Sequence, residues 1–252
     1  MLNIVLPIAG RGSRFAAAGY PQPKPLIPVR GKPMIELVVE NLRPARAHRV
    51  IFVALREHLE RWDIGSVLTR VAPGCAIVPV DAVTEGAACT VLLAEALIDN
   101  GDPLMIANTD QCVVVDLDRS LAESDGAGRE GCDGLIMTFA ASDPKWSYVR
   151  KDGAGRIVEV VEKQVVSNEA TVGIYNFRRG GDFVRAAKSM VAKNLRVNGE
   201  FYVAPTYNQL IREGALIRSY AIDGEGVGMH GLGTPEDLQR FLERDPALVA
   251  RA

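Results

Sequence analysis

The 252-residue sequence predicts an α/β fold built on a largely parallel sheet with helices on both faces, and three observations lead there. Residues 2–8, 49–54, 76–80 and 103–108 are apolar or β-branched along their length, as strands covered on both faces are. Between them, Met34, Leu37, Val38, Asn41 and Leu42 fall at helical spacing, and so do Ala87, Val91, Ala94 and Ile98, with Glu95 and Asp99 facing outward. The 24 Gly and 14 Pro exceed what a helical bundle uses and suit many strand-to-helix turns. Alternating strands and helices require crossover connections, and hence parallel strands.

Beyond residue 110 the pattern changes. Residues 133–141 and 147–151 read as strands, Asp152-Gly153-Ala154-Gly155 as a turn, and 156–162 as the hairpin partner. Residues 170–177 read as another strand, 181–193 and 204–213 as helical stretches, and 216–222 as a last strand. Thr234-Pro235-Glu236-Asp237 opens a helix: Thr as cap, Pro at the first position, acids in the first turn, then Leu238, Phe241 and Leu242 on one face. At roughly 150 residues per domain, the length suits one large domain. The expectation is a single domain over 1–252, with halves 1–112 and 113–252 fused around a cleft.

Composition removes several classes of function. With 29 basic against 31 acidic residues the net charge is −2, so the basic surplus that nucleic-acid binding needs is absent. No apolar run approaches the roughly 18 residues of a membrane span. The apolar N-terminus lacks the basic start of a signal peptide and reads as a buried first strand. Cys75, Cys89, Cys112 and Cys132 are widely spaced, with no CxxC and no nearby His. Zinc needs grouped ligands, so these read as free thiols in a reducing, cytoplasmic compartment.

The most informative stretch is Pro7-Ile8-Ala9-Gly10-Arg11-Gly12-Ser13-Arg14-Phe15, followed by Pro23-Lys24-Pro25-Leu26-Ile27-Pro28-Val29-Arg30-Gly31-Lys32-Pro33-Met34. Gly10 and Gly12, at the end of a buried strand, let the backbone turn sharply and approach a ligand with no Cβ in the way. Successive backbone N–H groups in such a turn cradle an anion. Arg14 adds a permanently charged fork suited to phosphate oxygens. Lys24 is held between two prolines, which lowers the entropy lost when it clamps a phosphate. A dinucleotide fingerprint is excluded because Phe15 stands at its third glycine, and a Walker loop because Gly-Lys-Ser/Thr is absent.

This two-part motif resembles the signature of the sugar-nucleotidyltransferases, the nucleoside-diphosphate-sugar pyrophosphorylases, which join an NTP to a sugar 1-phosphate and release pyrophosphate. Weaker matches follow in the family's order: Glu85-Gly86-Ala87-Ala88, Asn108-Thr109-Asp110, Glu162-Lys163, Val172-Gly173-Ile174-Tyr175 and Gly233-Thr234-Pro235-Glu236-Asp237-Leu238. The sequence is most similar to the branch associated with capsule and surface-polysaccharide gene clusters. The resemblance implies a three-layer α/β/α, Rossmann-like (GT-A type) mixed sheet with a smaller β-rich acceptor-binding part. Residues 1–112 would bind the NTP and 113–252 the sugar phosphate.

The resemblance also implies a site. Arg14, Lys24 and Asp110 would be catalytic, with Asp110 holding Mg²⁺ at the carboxyl end of a strand, where ligands of open α/β sheets bind. Ala9, Gly10, Arg11, Gly12, Ser13, Glu85, Gly86 and Asn108 would bind the nucleotide. Ser147, Glu162, Lys163, Gly173, Asn198 and Glu200 would bind the phosphorylated partner. Three positions depart from the pattern. Gly231 stands where a second metal-binding aspartate is usual, with Asp223 upstream as a substitute. Ser147, between Trp146 and Tyr148, replaces a pocket-lining glycine, which suits a different phosphorylated acceptor. His230, a lone histidine beside glycines, reads as structural.

Two other readings remain. Asp116-Leu117-Asp118 resembles the Asp-x-Asp metal motif of glycosyltransferases, although its acids also suit a helix start. A non-catalytic sugar-nucleotide-binding homologue would not need Arg14, Lys24 and Asp110 together. A homo-oligomer is compatible with such a chain.

Overall fold

The computed structural model describes residues 1–126 and 131–244. The first half contains β1 (Leu2–Ile8), α1 (Ser13–Ala17), β2 (Pro28–Val29), β3 (Lys32–Pro33), α2 (Met34–Asn41) and β4 (His48–Leu55). Then come α3 (Arg56–Arg61), α4 (Ile64–Val71), β5 (Ala76–Val80), α5 (Ala87–Leu92), α6 (Glu95–Ile98), β6 (Leu104–Ala107) and β7 (Gln111–Val113). The second half contains α7 (Leu117–Asp125), β8 (Gly134–Ala140), β9 (Ser147–Lys151), β10 (Ile157–Glu162) and β11 (Glu169–Phe177). It ends with α8 (Gly180–Ala192), α9 (Tyr207–Arg212), β12 (Ile217–Ala221), β13 (Met229–Gly231) and α10 (Pro235–Leu242).

The two-residue period of β1 feeds two cores. Leu2, Ile4, Leu6 and Ile8 pack in one cluster with Val38 of α2, Leu68 of α4 and Leu121 of α7. Val5 belongs to the other, with Val91 of α5, Ile98 of α6 and Phe183 of α8. Helices therefore cover both faces, in the expected α/β/α layering. Asn3, the polar residue inside the strand, is buried and accepts a hydrogen bond from the Arg49 guanidinium at 2.9 Å.

Parallel pairing joins β5, β4, β1 and β6, and β11 then adds antiparallel to β6. β8 lies antiparallel along the other flank of β11, and β12 pairs β8 in parallel. The β9–β10 hairpin meets β11 at Ala170, opposite Tyr148. Since Phe139 of β8 already occupies one flank of Ala170, the hairpin must stand on the β6 flank, past the point where β6 stops. The sheet is mixed and mainly parallel at its centre, with a β-rich extension. As parallel neighbours, β1 and β6 present their carboxyl ends side by side.

Several elements differ from the sequence reading. The helix expected over 87–98 is two, because the N–H groups of Leu93 and Ala94 donate three residues back, to Thr90 and Val91. Ala94 and Ile98 stay buried, so the apolar stripe survives the break. α3 and α4 occupy the connection from β4 to β5, where no element was expected. The 204–213 stretch starts as a 3₁₀ turn, Ala204–Thr206, before α9. β12 is not the last strand: β13 pairs antiparallel with β7, setting Gly231 opposite Gln111. No described helix is long and apolar enough to cross a membrane. The four cysteines are free.

Candidate active site

The turn after β1 is shaped by Gly12, whose φ of 61° lies in the left-handed region. Its carbonyl accepts from Phe15 N (3.0 Å) and Ala16 N (3.1 Å), starting the short α1. A Cβ on Gly12 would stand 3.1 Å from the Cβ of Lys24, so the glycine is what lets Lys24 cross the turn closely. Lys24 opens a 3₁₀ turn in which Leu26 N donates to Pro23 O at 2.9 Å. From there its Nζ reaches Asp110 Oδ2 at 3.1 Å, the two side chains being 18% and 37% exposed. Asp110 follows β6 and is pinned by its backbone, the carbonyl accepting from Leu232 N. Gly233 has no side chain to crowd the carboxylate, and a Cβ there would sit 3.2 Å from Asp110 Oδ2. Arg14 is exposed and has no carboxylate partner among the described residues.

The cleft has two compartments. Gly10, Gly12, Ser13, Lys24 and Glu200 line the first, while Ser147, Glu162, Lys163, Gly173 and Asp237 line the second. Arg14, Ala87, Asn108, Asp110, Tyr202 and Gly233 line both, so Asp110 stands at their junction and Lys24 reaches it from the first.

In the second compartment Glu162 ends β10, and its carboxylate accepts a hydrogen bond from Ser147 Oγ of β9. Burial pushes the Glu162 carboxyl above its ordinary range, while Ser147 and Lys163 pull it back. Lys163 has a φ of 55°, donates its N–H to Trp146 O at 3.0 Å and sets its ammonium 5.0 Å over the Tyr202 ring. The Tyr202 hydroxyl raises the Lys163 pKa, and burial raises that of Tyr202. Gly173 sits at a break in the β11 register with φ 84°. Its carbonyl accepts from Asn108 N at 2.9 Å, and a Cβ there would come within 2.5 Å of Asn108 Nδ2.

Other expected residues lie outside this lining. Ala9 is buried beneath the turn and Arg11 points to solvent. Glu85 is exposed and pairs with Arg196 at 2.9 Å, while its carbonyl accepts from Phe201 N. Gly86 is locked by the same strip of chain: a Cβ would fall 2.5 Å from Phe201 O. Of that motif only Ala87 lines the cleft. Asn198 and Gly199, both at positive φ, form a tight turn in which Val197 and Glu200 exchange two 3.0 Å hydrogen bonds. Asn198 is therefore a turn residue, and Glu200 lines the first compartment instead of the second.

The departures also resolve spatially. A Cβ on Gly231 would lie 3.4 Å from Asp237 Cγ, so a carboxylate from α10 occupies the neighbourhood of the expected one. Asp223 packs against Gly228 and is absent from the cleft lining. His230 is buried edge-on against Phe241, with ring centroids 5.8 Å apart. The Asp-x-Asp acids are both spent on structure: Asp116 caps α7 through Arg119 N, and Asp118 accepts from Ala45 N at 3.0 Å. Tyr202 and Asp237 escaped the sequence reading. Asp237 carries a signal as a helix first-turn acid within the Gly233–Leu238 match but none as a site residue, and Tyr202 follows the Asn-Gly turn without a motif of its own.

A glycine turn, a clamped lysine and a carboxylate meet at the carboxyl ends of parallel strands, the end of an open α/β sheet where ligands of such folds bind. The Nucleotidyl transferase family matches residues 3–207, and the chain belongs to that family. It is 27% identical over 256 residues to the bifunctional protein GlmU of Cupriavidus metallidurans, across 98% of this chain and 53% of that protein. The chain thus spans about half the length of such curated relatives. It is 25% identical over 252 residues to the low-salt glycan biosynthesis nucleotidyltransferase Agl11 of Haloferax volcanii, across 93% of this chain and 63% of that protein. The solved nucleoside-diphosphate-sugar pyrophosphorylase of Vibrio cholerae superposes with a TM-score of 0.79 at 26% identity, over 96% of this chain and 100% of that one.

Proposed function

We propose that the chain is a sugar-1-phosphate nucleotidylyltransferase, joining an NTP to a sugar 1-phosphate or related phosphorylated metabolite for surface-polysaccharide synthesis in the cytoplasm. The observation that carries this reading is Asp110 at the junction of the two compartments, paired with Lys24 from the first. An acceptor phosphate oxygen attacks the α-phosphorus of the NTP in line. The new P–O bond forms as the α–β bridging P–O bond breaks, and its electron pair leaves on pyrophosphate. Two anions must be brought together and charge grows on the leaving group, so positioning and neutralisation do the catalysis.

The turn from Gly10 to Ser13 offers backbone N–H groups to the triphosphate, and Arg14 and Lys24 supply fixed positive charge. Glu162 and Lys163 engage the acceptor, Lys163 its phosphate. A divalent ion fits this donor set: Asp110 presents a hard carboxylate beside the space Gly233 leaves, and magnesium takes one or two carboxylates with phosphate oxygens. Asp110 would hold Mg²⁺, whose charge would be supplied to the phosphates, with Asp237 in the same compartment.

The test is pyrophosphate release from each NTP across a panel of sugar 1-phosphates and other small phosphorylated metabolites, with Mg²⁺. Release that requires both substrates is expected. A folded protein that turns over no NTP with any partner overturns the reading, and transfer from a pre-made sugar nucleotide would favour a glycosyltransferase.

A further inference from the structure

Glu162 treats its two carboxylate oxygens differently. The residue is 8% exposed, and Oε2 accepts from Ser147 Oγ directly across the β9–β10 pairing. Oε1 takes no hydrogen bond among the described residues, although Glu162 lines the second compartment. Ser147 is itself 7% exposed, and on β11 the Tyr175 hydroxyl shares a 3.0 Å hydrogen bond with Thr171 Oγ1.

Oε1 keeps contact with solvent, so it can accept a hydrogen bond from a group that enters the compartment. We propose that Ser147 is a positioning residue for acceptor selection: by holding Oε2 of Glu162 it presents Oε1 alone to the compartment. A metabolite that brings a hydrogen-bond donor, a hydroxyl or an ammonium, to that oxygen is then favoured over one that does not. This rests on the second compartment being the acceptor site proposed above. Without a donor at 147, neither oxygen is fixed, and the carboxylate is free to turn toward the neighbouring Lys163 ammonium.

The charged and titratable groups around Glu162 are Lys163, Glu200, Tyr175 and Tyr202. Burial raises the Glu162 pKa and the Ser147 bond lowers it, so removing the hydroxyl should raise it further.

The experiment has two arms. In the ligand-free protein, the Glu162 carboxyl is titrated by ¹³C NMR, its resonance assigned by its absence in Glu162→Gln. Ser147→Ala should raise the midpoint, and Ser147→Thr should restore it. In steady-state kinetics with the acceptor that the pyrophosphate screen finds, Ser147→Ala should raise the acceptor KM about tenfold. The NTP KM and kcat should stay within about twofold, and Ser147→Thr should recover most of the loss. Acceptors lacking the hydroxyl or ammonium should bind the wild type poorly and lose little further in Ser147→Ala. An unchanged Glu162 midpoint overturns the proposal whatever the kinetics show. So does a parallel fall in kcat and Tm with no selective change in acceptor KM. Should no acceptor be turned over, the proposed function fails, while the titration still decides whether Ser147 controls Glu162.

Discussion

Asp110 and Lys24 hold each other across a partly exposed 3.1 Å contact, a geometry that adds little to stability because water screens it. Each partner can therefore exchange the other for a ligand at small cost. Asp110→Asn keeps the shape of the site and removes the charge. It should lower turnover by about 10²–10³-fold while nucleotide binding, measured by equilibrium dialysis, changes only a few-fold. Glu162 titrates in the opposite sense to a salt-bridged acid. Its folded-state pKa is raised by burial, so folding favours the protonated form. The stability from this group is fullest below the ordinary carboxylate range and is lost as pH rises through the raised midpoint. Glu162→Gln should remove that loss, so urea midpoints should show the variant gaining on the wild type at pH 8 relative to pH 4.

The elements work by fixing pieces of chain that are far apart in sequence. α10 is set by its Thr234 cap, whose Oγ1 accepts from Asp237 N at 3.1 Å, and this cap fixes the start of the helix that carries Asp237 into the second compartment. The cap was legible in the sequence and its destination was not, because a capping pattern says where a helix starts and nothing about what its first turn faces. The Glu85-Gly86 strip shows the converse. Its glycine was legible as a functional turn, yet the structure uses it for close approach, with φ 132° and Phe201 O in the way of any Cβ. Gly86→Ala should cost about 1–3 kcal/mol of unfolding free energy, read from urea melts, through strain and the displaced Phe201 backbone.

For the whole molecule, the sheet decides where the candidate site lies. Side-by-side carboxyl ends of β1 and β6 bring the glycine turn to Asp110, and the antiparallel hairpin closes the other side with Ser147, Glu162 and Lys163. That frame is held by the two cores. Phe183→Ala, emptying a fully buried ring from the α8 side, should destabilise by about 3–5 kcal/mol by calorimetry without altering the acceptor KM of the surviving folded protein.

The sequence alone determined the local devices: the buried strands, the glycine bend, the lysine between prolines, the acid after β6. Each is a matter of neighbours along the chain, where periodicity and turn chemistry act. Which flank of β11 receives the hairpin, that Asp237 stands beside Gly231, and that Asn198 merely turns the chain while Glu200 reaches the cleft were decided by tertiary structure. Those outcomes depend on strand pairing and helix docking between segments tens of residues apart, and period-two or period-3.6 patterns fix a face of an element without fixing its neighbour.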